Sequence, residues 1–471
     1  MAYLNVFINN SNKNPINVNR DTKPVPPGPD IDKWVKEHMV FWYDMSKPVD
    51  TYAENFNDWT KFTGAKYTVT NKSVNITNFD AVNNACIYIA KSKKFSGITI
   101  TVDGLLDGQE IAWGYNNNPL VRMPKNGTYI LEPINSVTGN IGFRSINIVG
   151  ACNITITQLP SGQSIPTNEI LKANPYLQDH SGNNRPLKLN NFMFAAMSGV
   201  GGYDISSTRI LPDRANVTVT DNRIIHITKK LSTTDNMVDI VPANSNPTHK
   251  FKVTGLSDGR QVSLVNRNGG FYTFDNGEHE VTLSYPEGTE SLYNAIGVTG
   301  DAGDMDVTIE FIPKYSNALV TDGVDDYGQV QNLQQGMKML FYTCNPFSLN
   351  KILYDQTELG WRKFNIYNQA DKIAYNERNE NGVTYIDGNL NSLLLANDLV
   401  NKKQIITIVN EGSDANNTIS PIYFSVNQHN GYFANLAFYN SIGFDSVPTK
   451  QNDGFTEQDL IDYVLENIIT Q

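Results

Sequence analysis

The sequence predicts an all-β protein: a discontinuous jelly-roll sandwich with two inserted, mutually similar β-sandwiches and a short C-terminal helix. Three observations support this fold class. Asn, Gly (34), Tyr (23) and Phe (21) are abundant in the 471 residues, and such a mixture of turn formers and strand formers is typical of many short strands. Apolar and polar residues alternate over long stretches, as in half-buried strands. A large part of the chain also occurs twice.

Residues 1–30 begin with a short alternating stretch and end with the proline-rich run KPVPPGP at 23–29. Closely spaced prolines favour an extended spacer and do not fit inside a sheet. The segment is either a disordered tail or an anchoring arm that adds a strand to the sheet edge of a partner. We expect the arm, whose anchoring residues would be Tyr3, Leu4, Val6, Phe7 and Ile8.

Two segments of the chain share four motifs in the same order. YTVTN at 67–71 corresponds to VTVTD at 217–221, and VDGLLDGQEI at 102–111 corresponds to VTGLSDGRQV at 253–262. An Asn-Gly turn follows in each, at Asn126 and Asn276, and each copy closes with a strand that ends in proline, at Pro160 and Pro313. The pattern predicts two related antiparallel sandwiches, residues 51–160 and 206–313.

The shared Leu-x-Asp-Gly segment is expected to be a turn, because Asp-Gly readily adopts positive φ. A catalytic role for Asp107 or Asp258 is the less favoured alternative.

Residues 31–50, 161–205 and 314–471 belong to neither copy but carry strand and turn signals. The first two are too short to fold alone, so we expect all three to form one discontinuous sandwich that hosts the copies. Residues 34–45, WVKEHMVFWYDM, begin with a helical pattern and end as an apolar strand buried on both faces. Near the C-terminus, Thr456 and Asp459 form a capping-box variant ahead of an apolar helical stripe.

Composition excludes several classes of protein. The net charge of −11 and the lack of a basic cluster argue against nucleic-acid binding. No apolar run approaches the roughly 20 residues that span a bilayer, and the N-terminus does not resemble a secretory signal. Cys86, Cys152 and Cys344 are few and far apart, which predicts neither a disulfide framework nor a zinc site.

Several motifs of the predicted jelly roll carry a family resemblance. DHSGNN at 179–184 and ALVTDGVDDY at 318–327 resemble turns of laminin-G-like, concanavalin-type domains, and residues 455–467 resemble the short helix that closes them. Together with FWYDM at 41–45 and MFAAMSGVGGY at 193–203, they look like virion surface or head-fibre proteins of crAss-like phages that infect Bacteroides. The resemblance implies that residues 31–50, 161–205 and 314–471 form a laminin-G-like jelly roll and that the chain is a structural virion component; the two insertions depart from simple laminin-G modules.

Residue patterns of known enzymes are missing from the sequence: it has no G-x-S-x-G, H-E-x-x-H, P-loop or dinucleotide-binding motif. A carboxylate pair for glycoside hydrolysis could still form on folding, but no pair stands out, so we expect no catalytic residues. Two acidic clusters could bind calcium, Asp322 with Asp325 and Asp326, and Asp301 with Asp304 and Asp306. No other cofactor is expected.

Aromatic side chains of the predicted jelly roll could stack on sugars, although most of them are expected to pack in the core or at its rim. They are Trp361, Tyr367, Tyr375, Tyr385 and Tyr432.

The expected function is therefore a phage head fibre or capsid-decorating protein on the virion surface, made in the host cytoplasm. Its partners would be a capsid or other virion protein, further copies of itself in a homo-oligomer such as a trimer, and host-surface glycans bound weakly at many points. The alternative is a tail fibre, a receptor-binding protein or another carbohydrate-binding module. Neither nucleic acid nor membrane insertion is expected.

Overall fold

A computed structural model describes residues 30–469 except for 64, 80–84, 116–117, 204, 243–247, 258, 267–269, 284–293, 334–336, 348–350, 359–360, 369–381, 391–399, 411–419, 425 and 428–431. It confirms the all-β prediction, with antiparallel sheets throughout and a short C-terminal helix. No helix in this part of the chain has both the length and the apolar character needed to cross a membrane.

The elements before and within the first repeat copy are α1 (Ile31–His38), β1 (Met39–Asp44), β2 (Val49–Thr51), a 3-10 turn (Phe56–Asp58), β3 (Thr60–Lys61), β4 (Ala65–Val69), β5 (Ser73–Phe79), β6 (Ala85–Ile89), β7 (Ile98–Asp103), β8 (Glu110–Tyr115), β9 (Asn118–Met123), β10 (Gly127–Leu131), β11 (Ile141–Ile146) and β12 (Gly150–Gln158). Between the copies lie β13 (Gly162–Ser164), α2 (Asn168–Ala173), β14 (Tyr176–Leu177), β15 (Leu187–Asn190) and β16 (Gly199–Val200).

The second copy contains β17 (Ile205–Ile210), β18 (Ala215–Thr220), β19 (Ile224–Lys230), β20 (Val238–Pro242), β21 (Thr248–Thr254), β22 (Val262–Asn266), β23 (Phe271–Phe274), β24 (Gly277–Thr282), β25 (Asn294–Val298) and β26 (Gly303–Phe311). After it come β27 (Leu319–Asp322), β28 (Tyr327–Leu333), β29 (Met339–Pro346), β30 (Lys351–Glu358), β31 (Trp361–Asn368), β32 (Gly382–Ile386), β33 (Asn389–Leu390), β34 (Gln404–Asn410), β35 (Ser420–Phe424), β36 (Val426–Asn427), β37 (Tyr432–Phe433), β38 (Asn435–Phe444), α3 (Lys450–Asp453), α4 (Glu457–Val464) and a π turn (Leu465–Ile469).

Strands from three separate stretches of the chain make up the two sheets that we call the body. The larger sheet has the order β16-β27-β38-β29-β34-β32-β33, with β1 also paired to β38, and the smaller has the order β14-β15-β28-β35-β30-β31. The long β38 pairs with β27 along its first half and with β1 along its second half. The N-terminal and C-terminal stretches are therefore joined in one sheet.

Both faces of the larger body sheet are covered, which explains its almost continuous apolar strands. On β29, Leu340 and Tyr342 point into the core between the sheets, whereas Met339 and Phe341 point to the opposite face, where α1 and α4 pack. Strand β1 is buried on both faces as predicted, and it follows the predicted helical turn. The capping box of Thr456 and Asp459 at the start of α4 is also confirmed.

The two repeat copies, which we call the first insertion (51–160) and the second insertion (206–313), have identical strand orders. One sheet runs β10-β7-β12-β5-β4 in the first insertion and β24-β21-β26-β19-β18 in the second. The other sheet runs β3-β6-β11-β8-β9 and β17-β20-β25-β22-β23, respectively. Each strand thus has a counterpart at the same place, and each insertion encloses its own apolar core.

The shared segment forms a turn at Asp107 and Gly108 in the first insertion, with Gly108 at φ +81°. In the second insertion Asp258 lies outside the described residues, and Gly259 has φ +76°. The Asn side chain of the later Asn-Gly turn clamps this loop. Asn126 bonds both the N–H and the C=O of Leu105, at 2.8 and 3.2 Å, and Asn276 bonds the same groups of Leu256, both at 3.0 Å.

In each insertion, the glycine before the clamped leucine permits a close approach of two backbone segments. A Cβ at Gly104 would lie 1.9 Å from the Asn153 carbonyl oxygen, and one at Gly255 would lie 1.9 Å from that of Asp306. Both glycines also have φ near +87° (88° and 86°), which side chains rarely adopt. The shared sequence motif therefore encodes backbone geometry.

The backbone enters and leaves each insertion at neighbouring positions. Around the first insertion, β2 and β13 pair with each other, with Thr51 opposite Gly162. Around the second, the N–H groups of Lys314 and Tyr315 donate to the carbonyls of Gly202 and Gly201, at 3.0 and 2.8 Å. Each insertion thus interrupts the body at a single place, where its two ends lie side by side.

Candidate functional site

The loop between β27 and β28 brings together three residues that the sequence suggested as calcium ligands. One carboxylate oxygen from each of Asp322, Asp325 and Asp326 lies within 4.8 Å of the other two. Within the described ranges, this is the only group of three or more His, Cys, Asp or Glu side chains that meets this distance. The loop is therefore the candidate metal centre of the chain.

Local hydrogen bonds impose this loop conformation. Asp322 Oδ1 accepts from the N–H groups of Val324 and Asp325, at 2.8 and 3.4 Å. Gly323, which lies between Asp322 and Val324, has φ +75°. The side chain of Asp326 folds back so that its Oδ2 accepts from the Asp322 N–H at 3.0 Å. The Asp-Gly turn expected here from the sequence is thus confirmed.

The carboxyl group of Asp326 is the unusual member of the cluster, because its residue is 0% exposed. Its Oδ1 makes no hydrogen bond of ordinary geometry with the described residues, although the Ser198 hydroxyl is close enough to favour the charged form. The pKa of Asp326 is raised from 3.8 to about 7, mainly by burial and to a smaller extent by the carboxylates of Asp322 and Asp325, while its hydrogen bonds lower it.

The donor set of this loop fits a hard divalent cation. Calcium takes carboxylate and amide oxygens, and a buried carboxylate oxygen without a partner is such a ligand. Asn435 lies opposite Asp322 across the sheet, and its Oδ1 is also buried and unpaired among the described residues. Asp322, Asp325 and Asp326 could therefore hold calcium, with Asn435 as a neutral oxygen beside them.

The second acidic cluster has a different arrangement in the structure. Asp304 and Asp306 lie on one face of β26 and are paired with basic side chains of β19: Asp304 with Lys229 at 3.2 Å and Asp306 with His226 at 2.7 Å. Asp304 and Asp306 are largely exposed, and Asp301 does not join them in a compact ligand group. These carboxylates therefore lie on the surface, each beside a basic side chain.

The five aromatic residues suggested for sugar stacking give little information about a site. Tyr375 lies outside the described residues, as do the side chains of Trp361, Tyr367 and Tyr432. Tyr385 is half-buried, and its hydroxyl donates to Glu457 Oε1 at 2.5 Å. Tyr385 therefore connects β32 to the start of α4, a structural role.

The suggested anchoring residues Tyr3, Leu4, Val6, Phe7 and Ile8 lie outside the described residues. The described chain begins with Asp30, which caps α1: its Oδ1 accepts from the Lys33 N–H at 2.9 Å. Asp30 thus belongs to the body, although it was predicted to be the last residue of the arm.

A cleft that was not predicted from the sequence lies between the first insertion and the body. It has a volume of about 350 Å³ and is lined by the β4–β5 turn of the insertion and by the segment from Asn174 to Pro186. A second cleft, of about 460 Å³, adjoins it and shares Asp50, Tyr52, Asn71 and Asn174. Scattered Asn and Tyr residues form no motif, so no sequence pattern indicates this site.

Compared with models of known protein families and with curated proteins, the chain matches none.

Proposed function

We propose that the protein is a structural component of a phage particle, a head fibre or capsid-decorating protein that is attached by its N-terminal arm and carries its β-sandwiches on the virion surface. The observation that carries this proposal is the architecture: one sandwich body hosts two further sandwiches of identical strand order. Repeated domains offer equivalent surfaces for weak contacts with host glycans, and such contacts add up through multivalency. The resemblance of the body motifs to virion surface proteins supports the same reading.

The experiment is a deletion of residues 1–29 in the phage genome, with particle incorporation as the measurement. Asp30 is kept because it caps α1, so the truncated protein should retain the melting temperature of the full chain. We expect it to be lost from purified particles. Full incorporation of the truncated protein would rule out the arm as the anchor.

A matched pair of variants separates the anchoring stretch from the rest of the arm. Replacing Tyr3, Val6 and Phe7 with Ser should reduce incorporation strongly, because an added strand is held partly by its apolar side chains. Replacing Asn10, Asn12 and Asn14 with Ser should leave incorporation unchanged. The homo-oligomer, with a trimer as the expected form, is tested by the mass of the purified protein in solution.

Calcium at Asp322, Asp325 and Asp326 is part of the proposal, and the unpaired Oδ1 of Asp326 is the observation that favours it. A cation would stabilise the ionised form of this carboxyl and so contribute to folding. We expect calcium to raise the melting temperature of the chelator-treated protein by a few degrees. Asp326→Asn should abolish this rise, whereas Asp304→Asn, at an exposed ion pair, should not.

The pH dependence gives a second readout of the same carboxyl. Because the folded-state pKa of Asp326, about 7, lies above the ordinary value, the folded protein without metal binds the proton more tightly. The free energy of unfolding should therefore fall as pH rises from about 4 to about 7. Calcium should raise the melting temperature more at pH 8 than at pH 5. An equal rise at both pH values, or a rise that survives in Asp326→Asn, would contradict calcium binding at this loop.

A further inference from the structure

The two adjoining clefts beside the first insertion form one continuous groove, because four residues line both of them. These are Asp50, Tyr52, Asn71 and Asn174. Their combined size is in the range of small-molecule binding sites, about 300–1,000 Å³. The groove is bordered on one side by the β4–β5 turn and on the other by α2 and β14.

Hydrogen-bonding groups in this groove lack partners. Asn71 is only 7% exposed, yet its side-chain amide makes no hydrogen bond with the residues that the structure describes. The Oε1 of Gln178 accepts from the Asp50 N–H at 3.1 Å, while its amide N–H groups have no described acceptor. Side-chain amides both donate and accept hydrogen bonds, so these groups are suited to bind a polar ligand.

Two tyrosines supply aromatic surface in the same groove. Lys72 holds Tyr52 in place, with its Nζ 3.4 Å from the tyrosine hydroxyl and 5.5 Å from the ring centroid. Tyr176 is half-buried at the start of β14 and lines the smaller cleft. Aromatic rings beside amide side chains combine an apolar face with hydrogen-bonding groups.

The corresponding turn of the second insertion carries charged groups in place of the amide. The turn between β18 and β19 carries Asp221 where the first insertion has Asn71, and Arg223 bonds Asp221 at 3.3 Å and Glu310 at 2.6 Å. The Asp221 N–H donates to Glu169 of α2 at 2.9 Å. The second turn is thus held by ion pairs within its own insertion and by one backbone hydrogen bond to Glu169, whereas the first leaves an amide facing a groove.

We infer that the groove between the first insertion and the body is a binding site for a neutral carbohydrate. Amides donate and accept at once, as vicinal hydroxyl groups require, and tyrosine rings pack against the apolar face of a sugar. Carboxylates outnumber ammonium groups along the groove, which disfavours acidic sugars; the carboxylates are Asp50, Glu54, Asp58, Glu169 and Asp179, and the ammonium groups are Lys72 and Lys94. This inference rests on the proposed glycan contact and locates that contact in the groove.

The test uses the full-length protein and four defined trisaccharides, observed by ligand-detected NMR. Maltotriose, mannotriose and triacetylchitotriose are the neutral probes, and trigalacturonic acid is the acidic probe. We expect at least one neutral probe to bind with millimolar affinity or better and the acidic probe to bind more weakly. Asn71→Ala and Tyr52→Ala should each reduce the affinity at least tenfold while the melting temperature is retained. Tyr272→Ala, which removes a tyrosine that is 38% exposed on the second insertion, should have no effect.

The outcomes distinguish this inference from the proposed virion role. If a probe binds equally well to the Asn71 and Tyr52 variants, the groove is not the site, while glycan contact elsewhere on the protein stands. If no neutral probe binds, or if trigalacturonic acid binds best, the inference is wrong. Incorporation of the protein into particles tests the virion role separately and does not depend on any of these results.

Discussion

The two insertions share their strand order and their clamped turns but fill their cores differently. Five aromatic rings pack together in the first insertion, from Phe56, Trp59, Phe95, Trp113 and Phe143. At the positions of Trp113 and Phe143, the second insertion has the paired Leu264 and Ile296. Backbone features that permit close approach and tie loops together are thus common to both, whereas core residues vary as long as they fill the space.

Phe79 and Lys230 show the largest difference. Each is buried at the end of its strand and pairs with an Ala on one side and a Gly on the other. Phe79 joins the apolar core, whereas the Nζ of Lys230 contacts Asp235 at 2.5 Å and the carbonyls of Val298 and Gly300 at 2.8 and 2.7 Å. Equivalent positions can therefore hold a ring or a fully paired cation.

The largest expected effect belongs to Lys230→Ala. It leaves a carboxylate and two carbonyls without their cation, which should destabilise the second insertion by about 3–5 kcal/mol. Hydrogen exchange of peptides from β19 and β26 in the full chain measures this. Lys229→Ala, at the adjacent exposed ion pair, is the control and should cost less than about 1 kcal/mol. Equal effects of the two substitutions would show that the buried cation is dispensable.

Removing the central core side chain of each insertion is expected to be next in size. Trp113→Ala should destabilise the first insertion by about 3–5 kcal/mol, and Leu264→Ala should destabilise the second by about 2–5 kcal/mol. The cause is the cavity left in each core, and calorimetric unfolding of the full chain measures it. Leu120→Ala removes a side chain that is 49% exposed and should change stability by less than about 0.5 kcal/mol. A small effect at Trp113 would mean that its core is loosely packed.

A smaller effect is expected where the insertions are alike. Asn126→Ala and Asn276→Ala each remove two hydrogen bonds to one loop residue and should cost about 1–2 kcal/mol. Hydrogen exchange at the N–H groups of Leu105 and Leu256 should increase in the respective variant only. If one substitution is costly and the other neutral, the clamps are not equivalent, whatever their geometry.

The smallest effect concerns the turns that contact the body. Burial raises the pKa of Asp221 above 3.8 despite the opposing charge of Arg223, so the folded state binds this proton more tightly than the unfolded chain. The free energy of unfolding of the second insertion should therefore decrease as pH rises from 3.8 to the raised pKa of Asp221. Asp221→Asn, which copies Asn71, should remove this part of the pH dependence. Melting curves between pH 4 and 7 measure it, and an unchanged pH profile would exclude Asp221 as its source.

Most of the fold could be predicted from local patterns in the sequence. The capping box at Thr456, the Asp-Gly turns and the repeated motifs each act over a few residues, so they can be recognised without coordinates. Strand pairings such as β1 with β38 could not be predicted, because they join residues that are hundreds of positions apart and no local pattern specifies such partners.

The candidate sites differ in the same way. Asp322, Asp325 and Asp326 are close in sequence, so their grouping could be predicted, but the burial of Asp326 depends on distant strands. The groove at Tyr52, Asn71 and Tyr176 could not be predicted, because three separate segments of the chain form its walls. The carboxylates of Asp304 and Asp306 looked like a ligand cluster only because their basic partners lie on another strand.

The pairing of β2 with β13 has a consequence for engineering. Opposed residues of an antiparallel pair lie about 4.5–5.5 Å apart, so a two-residue hairpin turn can connect Thr51 directly to Gly162. A shortened gene that encodes such a turn would produce the body without the first insertion. The first insertion could equally be expressed alone or exchanged for another domain whose two termini lie side by side. The junction of β2 and β13 is therefore a suitable point for domain exchange.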